Sequence, residues 1–195
     1  TGIFLDQHEV RDGLVNGLAL GKSVLNMFSY TAAFSVAAAM GGAVETTSVD
    51  LAKRSRELST AHFEANGFSM DYHRLVVMDV FDYFKYAKKK GLSYDLIVID
   101  PPSFARNKKR TFSANKDYHK LIAQSLDILS EHGTIIASTN AANMTVQQFK
   151  KQLRKGLGDV SADFVNLQQL PADFTVNPND PTSNYLKVYT IKVNK

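Results

Sequence analysis

The sequence contains the stretch YDLIVIDPP at residues 94–102, and this stretch decides the fold. Tyr94–Ile99 is rich in β-branched residues and has no break, which predicts a strand that is buried on both faces. Pro101 and Pro102 follow directly, so the strand is expected to end beside Asp100. The stretch therefore predicts a central strand of a covered sheet, with an acid at its carboxyl end.

Strands and helices alternate on both sides of this stretch. The pattern predicts six further strands, at Ser23–Met27, Glu45–Val49, Arg74–Met78, Gly133–Ser138, Phe164–Leu167 and Leu186–Val193. It predicts six helices, at Gln7–Leu20, Ala32–Met40, Ala52–Asn66, Val80–Lys90, Lys116–Leu129 and Val146–Leu157, with residues 103–111 as a loop. This order indicates a doubly wound α/β domain with a mostly parallel sheet, in which one strand turns antiparallel at the end.

The composition fits one globular domain over residues 1–195. The hydrophobic fraction is 44% and the charged fraction 22%, and no apolar run approaches the ~18 residues of a membrane span. The absence of cysteine excludes disulfides, thiolate metal sites and a thiol nucleophile, and it fits a cytoplasmic protein. The five histidines lack metal-ligand spacing, so we expect no metal. Because the chain begins at Thr1 without a methionine, we expect a fragment of a longer protein or a processed product.

Acids stand at the ends of three of the first four predicted strands. Asp50 ends the second strand, Asp79 follows the third and Asp100 follows the fourth. The carboxyl ends of parallel strands meet at one edge of such a sheet, where ligands bind. Acids there disfavour a phosphate-rich ligand and suit one with hydroxyls, an amine and a positive sulfur. The turn after the first strand, residues 26–31, has no glycine, which disfavours nucleotide triphosphatases and dinucleotide oxidoreductases.

Two of these acids admit two interpretations each. Asp50 lies close to the offset of about 20 residues at which an acid meets ribose hydroxyls in dinucleotide-binding sheets. It would equally cap a helix that begins at Leu51. Asp79 would accept a hydrogen bond from an adenine amine, or it would cap the helix from Val80.

The fourth strand end, Asp-Pro-Pro-Ser-Phe, offers hydrogen-bond acceptors and few donors, because the prolines have no N–H. Their fixed φ angles are expected to hold Asp100 at the mouth of the sheet. Phe104 offers a ring on which a planar base could stack, so the site would orient a nucleobase nitrogen toward a methyl donor. The alternative is a rigid loop with Phe104 in the core.

Four ordered motifs carry a resemblance to a known family: TGIFLDQ at 1–7, LNMFSYT at 25–31, SVD at 48–50 and DPPSF at 100–104. The last is similar to the (Asp/Asn)-Pro-Pro-aromatic motif of class I S-adenosylmethionine-dependent methyltransferases that act on nucleic-acid bases. Together the motifs resemble the bacterial large-subunit ribosomal RNA methyltransferases, which carry an N-terminal PUA domain. The resemblance implies a Rossmann-like, seven-stranded sheet preceded by a helix, and a fragment that lacks the PUA domain.

The resemblance also implies roles for single residues. Phe28 to Thr31 would line the methionine end of S-adenosylmethionine, and the segment from Thr1 to Gln7 would close over it. The residues expected to bind the cofactor are Asn26, Phe28, Ser29, Tyr30, Thr31, Asp50, Leu51, Asp79, Val80 and Asp100. The residues expected to face the methyl group and the target base are Asp100, Pro101 and Phe104.

The sequence departs from one branch of this family. Members that methylate carbon 5 of cytosine attack the ring with a thiolate in the loop after the fifth strand. That loop here is Ala137–Asn143 and holds no cysteine, which favours a ring nitrogen, such as one of guanine. A methyltransferase for a small molecule or a protein, or a binding module without catalysis, remain alternatives.

A basic run follows the prolines, with Arg106, Lys108, Lys109 and Arg110 as candidate contacts to RNA phosphates. Solvated surface charge is the alternative interpretation. The net charge of +4 permits a polyanionic partner. The expected partner is large-subunit ribosomal RNA, without a membrane or a metal, and a homodimer of the full-length protein is left open.

Overall fold

In the computed structural model, which describes residues 2–195, seven strands form one sheet in the order β3-β2-β1-β4-β7-β9-β8. A separate two-stranded hairpin pairs β5 with β6. The strands are β1 (Ser23–Met27), β2 (Glu45–Asp50), β3 (His73–Val77), β4 (Tyr94–Ile99), β5 (Phe104–Arg106), β6 (Thr111–Ser113), β7 (Leu129–Thr139), β8 (Ser161–Gln168) and β9 (Lys187–Asn194).

Helices cover both faces of the sheet. They are α1 (His8–Gly13), α2 (Ala33–Met40), α3 (Lys53–Ala65), α4 (Val80–Lys89), α5 (Ala114–Leu126) and α6 (Val146–Leu157). Alternate residues of β4 show why: Leu96 and Val98 pack with α1 and α2, whereas Ile97 and Ile99 pack with α4, α5 and α6. Because side chains alternate along a strand, a continuous apolar run must be covered on both sides.

The predicted fold is confirmed. Strands β1 to β4 and β7 run parallel, and β9 runs antiparallel between β7 and β8. In the sheet, β2 and β3 lie on one side of β1, and β4 lies on the other side. The direction in which successive strands are added therefore reverses between β1 and β4. Ligands of such sheets bind at this reversal, beyond the carboxyl ends of the strands.

Two parts of the element prediction were wrong. The predicted single helix Gln7–Leu20 is α1 followed by a wide π-helical turn at Leu14–Leu18, and it is interrupted where Gly17 has φ 129°. Only glycine adopts such a φ at little cost, so the helix breaks there. The predicted loop 103–111 begins the hairpin of β5 and β6, which brings Arg106 opposite Thr111.

Predicted boundaries also moved by several residues. The helix predicted to run to Leu129 ends at Leu126, and β7 begins at Leu129 and not at Gly133. The strand predicted at Phe164–Leu167 extends over all of β8. Within residues 2–195, no helix has the length and apolar character that crossing a bilayer requires.

A buried tyrosine fixes the strand ends beside the reversal. Tyr118 of α5 is completely buried, and its hydroxyl lies 2.7 Å from Ser138 O and 3.1 Å from Ile99 O. Burial raises the pKa of Tyr118, so the hydroxyl stays protonated and able to donate. The contact ties the end of β4 to the end of β7.

Candidate active site

A cleft of about 420 Å³ opens at the carboxyl ends of the central strands. Twelve of the residues predicted from the sequence line it: Phe28, Ser29, Tyr30, Thr31, Asp50, Leu51, Asp79, Val80, Asp100, Pro101, Arg106 and Arg110. The structure therefore brings together the ends of β1, β2, β3 and β4, as expected for parallel strands.

The turn after β1 has an unusual backbone. Phe28, Tyr30 and Ala32 have φ angles of 59°, 50° and 61°, a region that residues with a Cβ rarely enter. Hydrogen bonds hold the turn: Ser29 N donates to Val49 O at 3.0 Å, and Ala32 N donates to Ser29 O at 2.7 Å. Strain of this kind persists only where the surroundings fix it, and it clusters at functional sites.

Asp50 holds this turn as well as the start of α3. Its Oδ2 accepts from Tyr30 N at 2.9 Å. Its Oδ1 accepts from Ala52 N at 2.9 Å and from the Ser55 hydroxyl at 3.2 Å. The hydrogen bonds from Ala52 N and Ser55 support the interpretation that Asp50 stabilises the start of the helix. The helix α3 begins, however, at Lys53 and not at Leu51. The carboxylate also lines the cleft, where a carboxylate oxygen can accept further bonds.

Asp79 is the N-cap of α4. Its Oδ1 accepts from Phe81 N at 3.0 Å and from Asp82 N at 3.2 Å. Its Oδ2 accepts from Asn107 Nδ2 at 2.8 Å, and the Arg110 Nε lies 3.4 Å from its Oδ1. The acid therefore joins the helix cap to the hairpin.

Asp100 stands at the end of β4 in a largely desolvated position. Its Oδ2 accepts from Gln7 Nε2 at 3.0 Å, and Gln7 Oε1 accepts from the Ser138 hydroxyl at 3.3 Å. Burial raises the pKa of Asp100 from 3.8 to about 6, whereas hydrogen bonds from Ser138 and Gln7 lower it and the charge of Asp6 raises it. The carboxyl group can thus accept a hydrogen bond when ionised or donate one when protonated.

The segment before α1 forms one wall of the cleft. Gly2 O accepts from the Thr31 hydroxyl at 2.6 Å, and Phe4 O accepts from Arg11 Nη1 at 2.8 Å. The Phe4 ring packs on Tyr30 with ring centres 5.5 Å apart. Thr1, which belongs to the segment expected to close over the cofactor, lies outside the described residues.

Asp6, which the sequence did not single out, lines the same wall. Its Oδ2 accepts from the Tyr185 hydroxyl at 3.0 Å. Its Oδ1 is buried and has no hydrogen-bond partner within residues 2–195. A buried carboxylate oxygen without a donor is costly, and a bound cation would relieve that cost. Only its place before a helix, in a motif similar to that of a known family, could have indicated it.

Two of the residues predicted to contact the cofactor or the target base lie away from the cleft lining. Asn26 is fully buried, and its Nδ2 donates to the Ser35 hydroxyl at 2.9 Å beneath the turn. Phe104 is 59% exposed on β5, so it lies outside the core, and it is not one of the residues that line the cleft. Neither the expected cofactor contact of Asn26 nor a buried Phe104 matches these positions.

The predicted RNA-binding cations fall into two groups. Lys109 Nζ lies 2.8 Å from an Asp82 oxygen, and Arg110 Nη2 lies 2.7 Å from the other. Arg106 and Lys108 are exposed and form no ion pair in the described part of the chain. Two of the four cations predicted to contact RNA are thus paired with acids at the start of α4, and two remain without an ion pair among the described residues.

A buried lysine supports the loop after β7. Lys187 is only 3% exposed, and its Nζ donates to Ala141 O at 2.8 Å and to Met144 O. Burial lowers the pKa of Lys187. The loop that it holds places Asn140 in the cleft lining. The sequence pattern does not reveal Lys187, because a lysine in an apolar strand pattern is usually assigned to the solvent face.

The fold and the site define a class: a Rossmann-like α/β protein whose rim suits a cationic nucleoside better than a phosphate. Within residues 2–195, no group of three His, Cys, Asp or Glu side chains could hold a metal ion. A family model described as S-adenosylmethionine-dependent methyltransferase matches residues 1–187, and the chain belongs to this family. The predicted family and its cofactor are thereby confirmed.

Similar proteins agree with this membership. A Bacillus subtilis protein, YwbD, provisionally named a ribosomal RNA large subunit methyltransferase, is 47% identical over 98% of this chain and 49% of its own length. Ribosomal RNA large subunit methyltransferase K of Neisseria meningitidis is 36% identical over 89% of this chain and 48% of its own. The chain spans about half the length of these curated relatives.

A solved structure is closely similar. The crystal structure of SMU.776, provisionally described as a methyltransferase and complexed with SAH, has 72% sequence identity and a TM-score of 0.97. The match covers 99% of this chain and 50% of that one.

Proposed function

We propose that this chain is a methyltransferase domain, over residues 1–195, that transfers a methyl group from S-adenosylmethionine to a base of large-subunit ribosomal RNA. The names of the relatives support the substrate class. The observation that carries the proposal is Asp100, placed by two prolines at the edge of the cleft in a chain without a thiol. The substrate also implies the cytoplasm as the working compartment.

The residues of the cleft fit the cofactor. A volume of about 420 Å³ lies within the range of about 300–1,000 Å³ for small-ligand sites. The partnerless Asp6 Oδ1 suits an ammonium group, and Arg11 on the same wall suits a carboxylate. Asp50 would accept from the ribose hydroxyls, and Asp79 with Val80 would border the adenine. When bound, S-adenosylmethionine supplies a methyl group on a positive sulfur, which a ring nitrogen can take with its own lone pair.

The chain positions the target base. Pro101 and Pro102 have no N–H, so this part of the rim presents acceptors to the amino groups of a base. Asp100 would hold such an amine, with Gln7 fixing the carboxylate. The exposed Phe104 ring on the hairpin offers a stacking surface to the target or a neighbouring base.

A ring nitrogen, with guanine preferred, is the proposed acceptor. Attack on cytosine carbon 5 needs a covalent intermediate with a nucleophile. The end of β7 and the loop after it offer only the hydroxyls of Ser138, Thr139 and Thr145 and amide side chains. Transfer to a lone pair needs only alignment of the two reacting atoms. The acids of the rim supply that alignment without covalent chemistry.

The experiment is transfer of labelled methyl by the full-length protein to ribosomal RNA from cells that lack it, followed by mapping of the labelled nucleotide. Label in a guanine ring nitrogen supports the proposal. Label in 5-methylcytosine would refute the choice of atom, and label only in protein or in small molecules would refute the substrate class. Cofactor binding without transfer to any of these would indicate a binding module.

Two variants test the assigned roles. Asp50→Ala should weaken S-adenosylmethionine binding at least several-fold, measured by calorimetry, because it removes the ribose acceptor and loosens Tyr30. Asp100→Ala should lower transfer much more than cofactor affinity. Unchanged affinity in the first, or equal losses of rate and affinity in the second, would show that the roles are misassigned.

A further inference from the structure

The outer face of α6 carries a dense cationic surface. Its inner face is buried through Phe149, Leu153, Gly156 and Leu157. The α6 cations, defined as Lys150, Lys151, Arg154 and Lys155, follow at spacings of one, three and four residues, which places them on one side of a helix. The helix Val146–Leu157 contains no acid.

These charges have no acidic partners within residues 2–195. None of the four α6 cations forms an ion pair in the part of the chain that the structure describes. Lys150 Nζ and the Arg154 guanidinium instead lie 5.1 Å and 4.8 Å from the centre of the Phe164 ring on β8. Cation–π contacts orient a charge without neutralising it. Lys151 and Lys155 are exposed and have no such contact.

The contrast with the hairpin is direct. Lys109 and Arg110 are paired with Asp82, and Arg110 also with Asp79, so they present little net charge to a polyanion. Four of the 23 Lys and Arg residues of the chain lie together on α6, whose residues Val146–Leu157 include no acid. The surface of α6 is therefore locally basic.

The helix also starts beside the cleft. It follows the loop that carries Asn140, and a capping box between Thr145 and Gln148 fixes its first turn. At 1.5 Å per residue, Lys150 to Lys155 lie about 8–15 Å along the axis from Thr145. A nucleic acid whose base enters the cleft would extend over this distance.

We propose that the α6 cations bind the phosphate backbone of the RNA substrate away from the target base. The inference rests on the proposed function and adds a second contact surface to it. Phosphate is favoured over a membrane surface, because the exposed face of α6 offers Gln147 and Gln148 but no large apolar side chain beside its charges.

The test compares two charge-equivalent variants of the full-length protein. Lys151→Gln/Lys155→Gln removes two exposed charges that form no ion pair or cation–π contact within residues 2–195. Lys89→Gln/Lys90→Gln removes two exposed charges at the carboxyl end of a different helix, α4, and controls for the loss of charge alone. The probe is unmodified large-subunit ribosomal RNA, with binding measured over a range of salt concentrations and transfer measured at saturating S-adenosylmethionine.

In the α6 variant, the slope of log K for RNA binding against log salt concentration should be less steep by about 1.5. Each lost phosphate contact removes roughly 0.7–0.9 from the magnitude of this slope. Its KM for RNA should rise about threefold or more, with kcat and cofactor affinity unchanged. An unchanged slope and KM, or equal losses in the Lys89/Lys90 control, would overturn the inference. The inference would also be overturned if the α6 variant bound anionic lipid vesicles more weakly than the wild type but bound RNA equally well. If the wild type does not modify or bind this RNA at all, the proposed function itself fails.

Discussion

Replacement of Tyr118 by phenylalanine should measure how firmly the ends of β4 and β7 are joined. The substitution removes only the hydroxyl that reaches Ile99 O and Ser138 O, and the ring keeps its edge contact with Phe149 at 4.8 Å. The substitution leaves a void of only one oxygen atom, so the main cost is that of a buried hydrogen bond. One hydroxyl carries one proton, so only one carbonyl at a time receives it.

The expected loss in the free energy of unfolding is about 1–2 kcal/mol. For a protein of 150–250 residues, this loss lowers Tm by roughly 2–8 °C. Thermal unfolding followed by circular dichroism gives the value. Tyr72→Phe is the control, because Tyr72 is 69% exposed and its hydroxyl forms no hydrogen bond within residues 2–195. If both variants melt within about 1 °C of the wild type, the hydroxyl does not join the strand ends in the way described.

The remaining predictions concern pH and packing. Because burial raises the pKa of Asp100 from 3.8 to about 6, the folded state binds more protons than the unfolded chain in that window, and stability falls as pH rises through it. Asp100→Asn should remove this slope in denaturant unfolding between pH 4 and about 7; parallel curves for the two proteins would contradict the assignment. Gly41→Ala would place a Cβ 2.1 Å from Leu14 O and should cost about 1–3 kcal/mol or more. Gly13→Ala, which meets only the Leu18 side chain at 3.3 Å, should be close to neutral, and equal losses would refute the packing argument.

The sheet could be predicted from the sequence because its strands are marked by apolar runs and most are separated by helices of ordinary length. The acids at 50, 79 and 100 could be placed at one rim, since parallel strands end at the same edge. Their second hydrogen-bond partners could not be foreseen. Those partners come from residues such as Asn107 and Gln7, which lie 28 and 93 positions away along the chain.

Other parts of the site have no local signal. A turn with three positive φ angles is normally marked by glycine, yet Phe28, Tyr30 and Ala32 adopt them under tertiary constraint. The basic run after the prolines looked free because ion pairs with Asp82 appear only once the hairpin folds back on α4. Nothing in the sequence marks Lys187 as buried, because the backbone carbonyls that accept from it come from a distant loop.

The position of Asp79 has a thermodynamic consequence. One carboxylate caps α4 at the proposed adenine side and accepts a hydrogen bond from Asn107 of the hairpin, which lies on the proposed RNA side. A ligand that forms a hydrogen bond with this carboxylate would also change the strength of its hydrogen bond with Asn107, and with it the stability of the hairpin. Linkage is reciprocal, so whatever factor the cofactor imposes on RNA affinity through Asp79, RNA must impose on cofactor affinity in return. The order in which the two substrates arrive would then alter the path of binding but not its total free energy.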